Sequence, residues 1–466
     1  MAGNIPVTAP VRISAGRKLA IGVGDFGCNL YWQMTQLYLL FFYTDVIGLP
    51  AQTAGLIYMI ALIWDAAMDP VVGLIADRTR SRWGRYRPYL MFGGPLLAPA
   101  FVVLFVGPTA QAFGAVAFAL VSQLAFRSLY AVVAIPYASL FARVTTDSAQ
   151  RGDLTGFRMV CGALAAIIVA ALTLPLAAAL GGGAESRTGW IILGAAYGVV
   201  ATLCLLLTVW GSRGLDTAHD APAPRRPFAE AMRSLASNRA LHLLLGAIVI
   251  SSFSTTMFSK NLLYYFKYVV GDASLGSAGL GIMALTIVLT TPLWAVALRL
   301  IGKRNTWLVG AVPTVAGLVF WHLIDGQSVP MLFSALVLQA IGAAAYVVCF
   351  WSMLPDTVEY GEWRSGVRTE SLVFGLTVLG QKVALGLGAG ALGMALTHIG
   401  YVPNIVQSAQ TLADIKTLMF WPPLIGTLIA ASLIWFYPIN RTAHARMVED
   451  IAARQSGDTA TPSNPV

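Results

Sequence analysis

Asp65 and Asp69 stand four residues apart in the stretch IWDAAMDP, inside a run otherwise apolar enough to cross a bilayer. That spacing puts both carboxylates on one face of a helix. Two ionised acids so close repel each other, and an acid in hydrocarbon is expensive. The pair therefore needs a cation between its members, a proton on one of them, or a basic partner. The chemistry this suggests is capture and release of a small cation or proton; a buried salt bridge with no such role is the alternative.

Other polar residues share these apolar runs. Asp25, Asn29, Trp32 and Gln36 lie on one helical face of the first run, a stripe that suits a wet cavity or hydrogen bonds between helices. Arg127, Tyr130, Ala131, Ala134 and Ala138 share a face of the fourth. Arginine keeps its proton in a protein, so Arg127, near mid-depth, needs either a carboxylate such as Asp25 or Asp65, or an anionic substrate. Arg158 lies in the fifth run. Lys260 lies toward the outer third of the seventh, where it could snorkel to the interface. Lys382 is midway along the eleventh with no such exit, and could pair with Asp65 or Asp69 across the two halves of the chain. Among the aromatics, Tyr31, Trp32, Tyr38, Tyr43, Tyr130 and Tyr137 could stack on a sugar ring, or simply pack in the core.

The elements that position these residues follow from composition. Of 466 residues, 57% are hydrophobic and 11% charged, against roughly 25% charged in an ordinary soluble domain, so the expected solvent is a membrane. The chain divides into twelve apolar spans: 19–43, 52–76, 88–107, 112–141, 150–180, 188–212, 241–268, 276–300, 305–324, 329–354, 371–397 and 415–437. They are continuously apolar, which excludes a β-barrel, and lipid leaves the backbone no partner outside a helix. The expected fold is an all-α membrane protein of twelve transmembrane helices in two six-helix halves: 1–212, a central cytoplasmic loop 213–240, and 241–438, followed by a mobile cytoplasmic tail 439–466. The net charge of +9 is concentrated in alternate loops, the first reading RTRSRWGRYR at 78–87, which places both termini in the cytoplasm of a bacterial inner membrane and argues against nucleic acid. No cleavable leader is expected. Cys28, Cys161, Cys204 and Cys349 are scattered, as are the histidines. Neither a metal site, a disulfide framework, a cofactor nor a nucleophile–base pair is expected, and the chain is not read as an enzyme.

Four stretches carry a resemblance: GDFGCNLYWQMTQLYLLFFYTDVIGL (24–49), IWDAAMDPVVGLIADRTRSRWGRYRPYL (63–90), AIPYASL (134–140) and DTVEYGEWRSGVRTES (356–371). Together they resemble the glycoside–pentoside–hexuronide:cation symporters of the major facilitator superfamily, from about Gly22 to Pro438. The resemblance implies the major facilitator fold, alternating access, and uptake of a glycoside or sugar acid coupled to sodium or protons. It makes Asp65 and Asp69 the cation site. In galactoside-carrying members an asparagine and a helix-four threonine assist; here those positions hold Met68 and Ala131. A hard cation needs several oxygens, so their loss favours a proton over sodium. The acids that grip galactosyl hydroxyls in those members match Asn29 and Ala134, and a tryptophan matches Ala138, whereas the helix-five arginine and helix-eleven lysine are kept as Arg158 and Lys382. The glucuronide branch is more similar, with an Asn following GD in helix one and Gly302-Lys303-Arg304-Asn305 after helix eight.

The expected substrate contacts are thus Asp25, Asn29, Tyr130, Arg127, Arg158 and Lys382, a basic set that favours a uronide-like anion. Asp77, Arg78, Arg85, Arg143, Asp356, Glu359, Glu362 and Arg368 match the family's cytoplasmic charge network, which holds the two halves together in one state. The alternatives are sodium-coupled transport of a neutral glycoside or pentoside and, from another class, a lipid or amphiphile carrier. The oligomeric state stays open, a monomer being compatible with all of these.

Overall fold

The computed structural model describes residues 13–107, 114–145, 147–216, 228–324 and 328–456, and every regular element among them is helical. The first six long helices are α1 (Ala15–Phe41), α2 (Ala51–Arg78), α3 (Arg87–Val106), α4 (Ala115–Arg143), α5 (Ser148–Gly181) and α6 (Arg187–Gly211). A short α7 (Phe228–Ala236) precedes α8 (Arg239–Tyr264), α9 (Ala273–Ile301), α10 (Lys303–Ile324), α11 (Val329–Ser365), α12 (Glu370–His398), α13 (Ala409–Trp435) and α14 (Arg441–Ser456). α1 and α8 each run on into a π-helical turn, Phe42–Val46 and Tyr265–Val270.

Eleven of these helices are long and apolar enough to span a membrane. The twelfth, α1, falls short in composition because the stripe of Asp25, Asn29, Gln33 and Gln36 dilutes its apolar residues. Outward faces carry large apolar side chains such as Leu300 and Leu323, each 73% exposed, as expected where lipid replaces water. The chain is a multi-pass membrane protein.

The helices gather into two compact units, Met1–Leu49 with Trp64–Ala221, and Pro50–Ile63 with Pro222–Val466. The division differs from a simple cut in the central loop, because the first turns of α2 belong with the second unit. Gly55 explains their attachment: a Cβ there would meet the Ala389 carbonyl of α12 at 3.0 Å and Gly393 Cα at 3.1 Å, so only glycines permit this backbone approach. In the first unit α1 packs against α5 and α6; in the second, Leu241, Trp307, Met353 and Tyr437 lie in one buried cluster.

Two expectations need correction. The stretch predicted as a cytoplasmic loop, 213–240, contains α7 and the capped start of α8, where Asn238 Oδ1 accepts from Leu241 N at 2.9 Å. Residues 217–227, with Pro222, Pro224, Arg225, Arg226 and Pro227, lie outside the described residues. The tail predicted to be mobile forms α14 instead. Its partners are tertiary: Trp363 Nε1 donates to Asp450 Oδ2 at 2.9 Å and Arg454 donates to the Trp363 carbonyl at 2.7 Å. Residues 457–466 lie outside the described residues.

Candidate substrate and cation site

In the first unit α1 and α5 meet at Asp25. Arg158 Nε donates to Asp25 Oδ1 at 2.8 Å, while Asn29 Nδ2, one turn along α1, reaches Asp25 Oδ2 at 3.1 Å and the Asp25 carbonyl at 2.9 Å. The contact depends on Gly162, whose missing side chain leaves room for the Asp25 carboxylate; an added Cβ would collide with Oδ2. Tyr137 braces the same corner. Its hydroxyl donates to the Ile21 and Gly22 carbonyls at 3.2 and 3.3 Å, and the Arg158 guanidinium lies 5.9 Å from its ring and 5.3 Å from that of Phe141. Arg158 remains 39% exposed although it is paired with a carboxylate.

A second pair joins α2 to α4. Arg127 Nη1 lies 3.9 Å from Asp65 Oδ2, and both side chains are fully buried. The indole of Trp32 sits 5.3 Å from the guanidinium and stacks on Tyr130 at 6.0 Å and 27°. Tyr130 in turn leans on the Cys28 carbonyl of α1 at 3.5 Å. Ser128 Oγ accepts from Trp64 Nε1 at 2.9 Å, a further link between α2 and α4. Asp69, one turn beyond Asp65, is half-buried, and Met68 beside it offers only a thioether. Ala131 is buried and supplies no oxygen. Asp65, Asp25, Asn29, Arg127, Tyr130 and Arg158 thus share one unit, as two ion pairs linked through Trp32 and the backbone of α1.

The second unit presents lysines instead. Lys382 is half-buried on α12. Lys260 is 1% exposed, with Nζ 4.0 Å from the Tyr58 ring centre. The snorkelling expected for it is overturned, because an aromatic face holds the ammonium inside the protein.

At the basic-loop ends of the helices several of the residues expected in the charge network have polar or aromatic partners. Tyr86 Oη donates to Asp77 Oδ1 at 2.6 Å, and the Arg143 guanidinium lies 5.7 Å from its ring. Burial, with Asp77 beside it, raises the Tyr86 phenol above its usual range, so it stays a donor at neutral pH. Arg85 is half-buried in the same turn, and Arg78 is exposed. In the second unit Lys303 reaches Asp356 at 2.6 Å, His444 reaches Glu359 at 2.6 Å, and Arg368 joins Glu362 at 3.0 Å and Glu370 at 2.9 Å. These hydrogen bonds hold Arg368 above its usual range.

Sequence reasoning missed three contributors. Gly162 shows its role only when α5 is laid on α1. Asp216 caps the RWGRYRP turn, its carboxylate accepting from Tyr86 N at 2.7 Å and Arg87 N at 3.1 Å; a lone acid far along the chain carries no local signal of this. His444 belongs to the tail expected to be mobile.

Eleven helices long and apolar enough to span a membrane, together with ion pairs inside the helical bundle, define a polytopic membrane protein. The MFS/sugar transport protein family matches residues 20–441, and the chain belongs to that family, in its glycoside–pentoside–hexuronide branch. The isoprimeverose transporter of Lactiplantibacillus pentosus is 30% identical over 448 residues, which cover 95% of this chain and 92% of the relative. The glucuronide carrier protein homolog of Escherichia coli (strain K12) is 29% identical over 440 residues, covering 93% of this chain and 94% of the relative. A crystal structure of a D-xylose-proton symporter matches with a TM-score of 0.66 at 13% identity, covering 92% of this chain and 98% of that one, which shows the major facilitator fold alone. The protein is a secondary transporter of sugars or glycosides and not an enzyme.

Proposed function

We propose that the protein is a proton-coupled symporter of a glycoside or sugar acid, with Arg158 as the principal substrate-binding cation and Asp69 as the proton carrier, in a bacterial inner membrane with both termini cytoplasmic. The observation that carries this reading is the Asp25–Arg158–Asn29 constellation. Asp25 takes one of the five N–H donors of Arg158, and the side chain is 39% exposed. A carboxylate or sulfonate on the substrate can engage the remaining donors in bidentate fashion, and a sugar hydroxyl can donate to Asp25. Trp32 and Tyr130 offer a stacked aromatic surface beside it for the sugar ring.

The division of labour between the acids follows from Arg127. A guanidinium already accompanies Asp65, which opposes a metal cation at the same carboxylate. Asp69 is then the group assigned to load and unload a proton, because Met68 and Ala131 supply no oxygen where sodium ligands would be expected. Protonation and substrate binding together favour the transport step, because only differential binding between two states shifts their balance. The charged groups at the basic-loop ends bias the same balance.

The second reading is transport of a neutral glycoside. It is favoured by the internal compensation of Arg127 and Arg158 and by the name of the isoprimeverose relative. Uptake into proteoliposomes separates the two. We expect a glucuronide to accumulate under an inward proton gradient without sodium, and Asp69→Asn to leave only equilibration. Arg158→Lys should raise KM for the uronide more than for a neutral pentoside. Normal accumulation by Asp69→Asn sinks the coupling assignment; sodium-stimulated uptake of neutral glycosides alone sinks the proton and the anion together.

A further inference from the structure

The second unit holds a cavity of about 520 Å³ where α9 ends, α10 begins and the chain turns into α14. Arg299, Lys303, Arg304 and Arg441 line it, with Asp356 as the lone carboxylate among the lining residues. Lys303 already serves Asp356 at 2.6 Å and the Ser352 carbonyl at 2.8 Å. Among the described residues Arg299 and Arg441 form no ion pair, and Arg304 Nε is buried without a hydrogen bond. Three guanidiniums thus converge on a cavity with no acid left to neutralise them. The N-terminus of α10 opens there too, and its leading residue Gly302 has no side chain to cap the first amides.

This donor set suits a tetrahedral oxyanion, and phosphate above all. The surroundings identify its carrier. Leu300, Ile301, Trp435 and Phe436 beside the cavity are 73%, 43%, 61% and 63% exposed, a lipid-facing apolar surface next to a polar hole. The Trp435 ring lies 5.3 Å from the Arg304 guanidinium and joins the two regions. A soluble phosphate has no use for that surface, whereas acyl chains would cover it. We propose that this cavity binds the phosphodiester headgroup of an anionic phospholipid in the leaflet on the basic-loop side.

The test uses full-length protein in nanodiscs of equal parts phosphatidylglycerol and phosphatidylcholine, with tightly bound lipids counted by native mass spectrometry after detergent extraction. The wild type should retain phosphatidylglycerol preferentially. Each substitution, R299Q, R304Q or R441Q, should weaken retention roughly fivefold. Because R304Q removes a partly buried side chain and can impair folding, the exposed pair R299Q/R441Q provides an independent arm, with unchanged thermal unfolding as its control. Equal retention of the two lipids, or unchanged phosphatidylglycerol retention in R299Q/R441Q, overturns the proposal. So does a titration in which inorganic phosphate displaces phosphatidylglycerol at comparable concentration, which would assign the cavity to free phosphate.

Discussion

In the first unit, buried charge is met by opposite charge: Asp25 by Arg158 across α1 and α5, Asp65 by Arg127 across α2 and α4. In the second, the mid-span cations are Lys260 and Lys382, and the acids Asp272, Asp356, Glu359, Glu362, Glu370 and Asp414 lie at or near helix ends. Lys260 lies on the face of a tyrosine, with Nζ 4.0 Å from the Tyr58 ring centre. An ion pair leaves a neutral site whose members can be re-partnered by a proton or a ligand. A lysine over an aromatic ring keeps its full charge while the ring's face stabilises it. The first unit thus carries the paired buried charges, and the second carries buried lysine and the charged assembly at its basic-loop end.

Breaking the Asp65–Arg127 pair should have the largest effect. Arg127→Ala strands a fully buried carboxylate and is expected to cost about 3–5 kcal/mol, read as a lowered Tm in detergent, with partial recovery in Arg127→Lys. An unchanged Tm would mean that Asp65 does not depend on Arg127. Gly162→Ala comes next. It drives a methyl group into the Asp25 carboxylate and should cost about 1–3 kcal/mol while sharply reducing uptake; Cys161→Ala, its neighbour, should do neither.

The second unit predicts a different signature at Lys260. Tyr58→Phe keeps the ring and should leave stability within about 0.5 kcal/mol, whereas Tyr58→Leu removes the π face and should cost about 1–2 kcal/mol. Equal losses in both variants would show that the ring is not what holds the ammonium. The smallest expected change is His444→Gln, about 0.5–1 kcal/mol, because its bond to Glu359 is only half-buried and Trp363, Asp450 and Arg454 still hold α14. Its check is faster amide exchange confined to Arg441–Ser456.

Much of this was readable before any coordinates. A continuous apolar run in lipid has one viable backbone conformation, so the existence and order of the spans, and the placing of Asp65 and Asp69 on one face, follow from residue order; their ends do not, α11 running to Ser365 rather than 354. The polar stripe of α1 was visible as a period. Pairing was not. Arg127 was equally compatible with Asp25 and Asp65, and Arg158 had no stated partner, because the choice depends on which helices are neighbours. Lys260 read as a snorkelling side chain because Tyr58 lies about two hundred residues away in the chain.

The sequence by itself determined that this chain is a multi-pass helical membrane protein, which helices carry charge within their apolar runs, and to which family it belongs. Each depends on local composition and order, which water and lipid read directly. Tertiary structure decided which acid meets which arginine, that Gly162 must be small, that Asp216 caps a turn 130 residues earlier, and that the tail folds against α11. Those outcomes depend on contacts between residues far apart in the chain, whose energies exist only once the helices have packed.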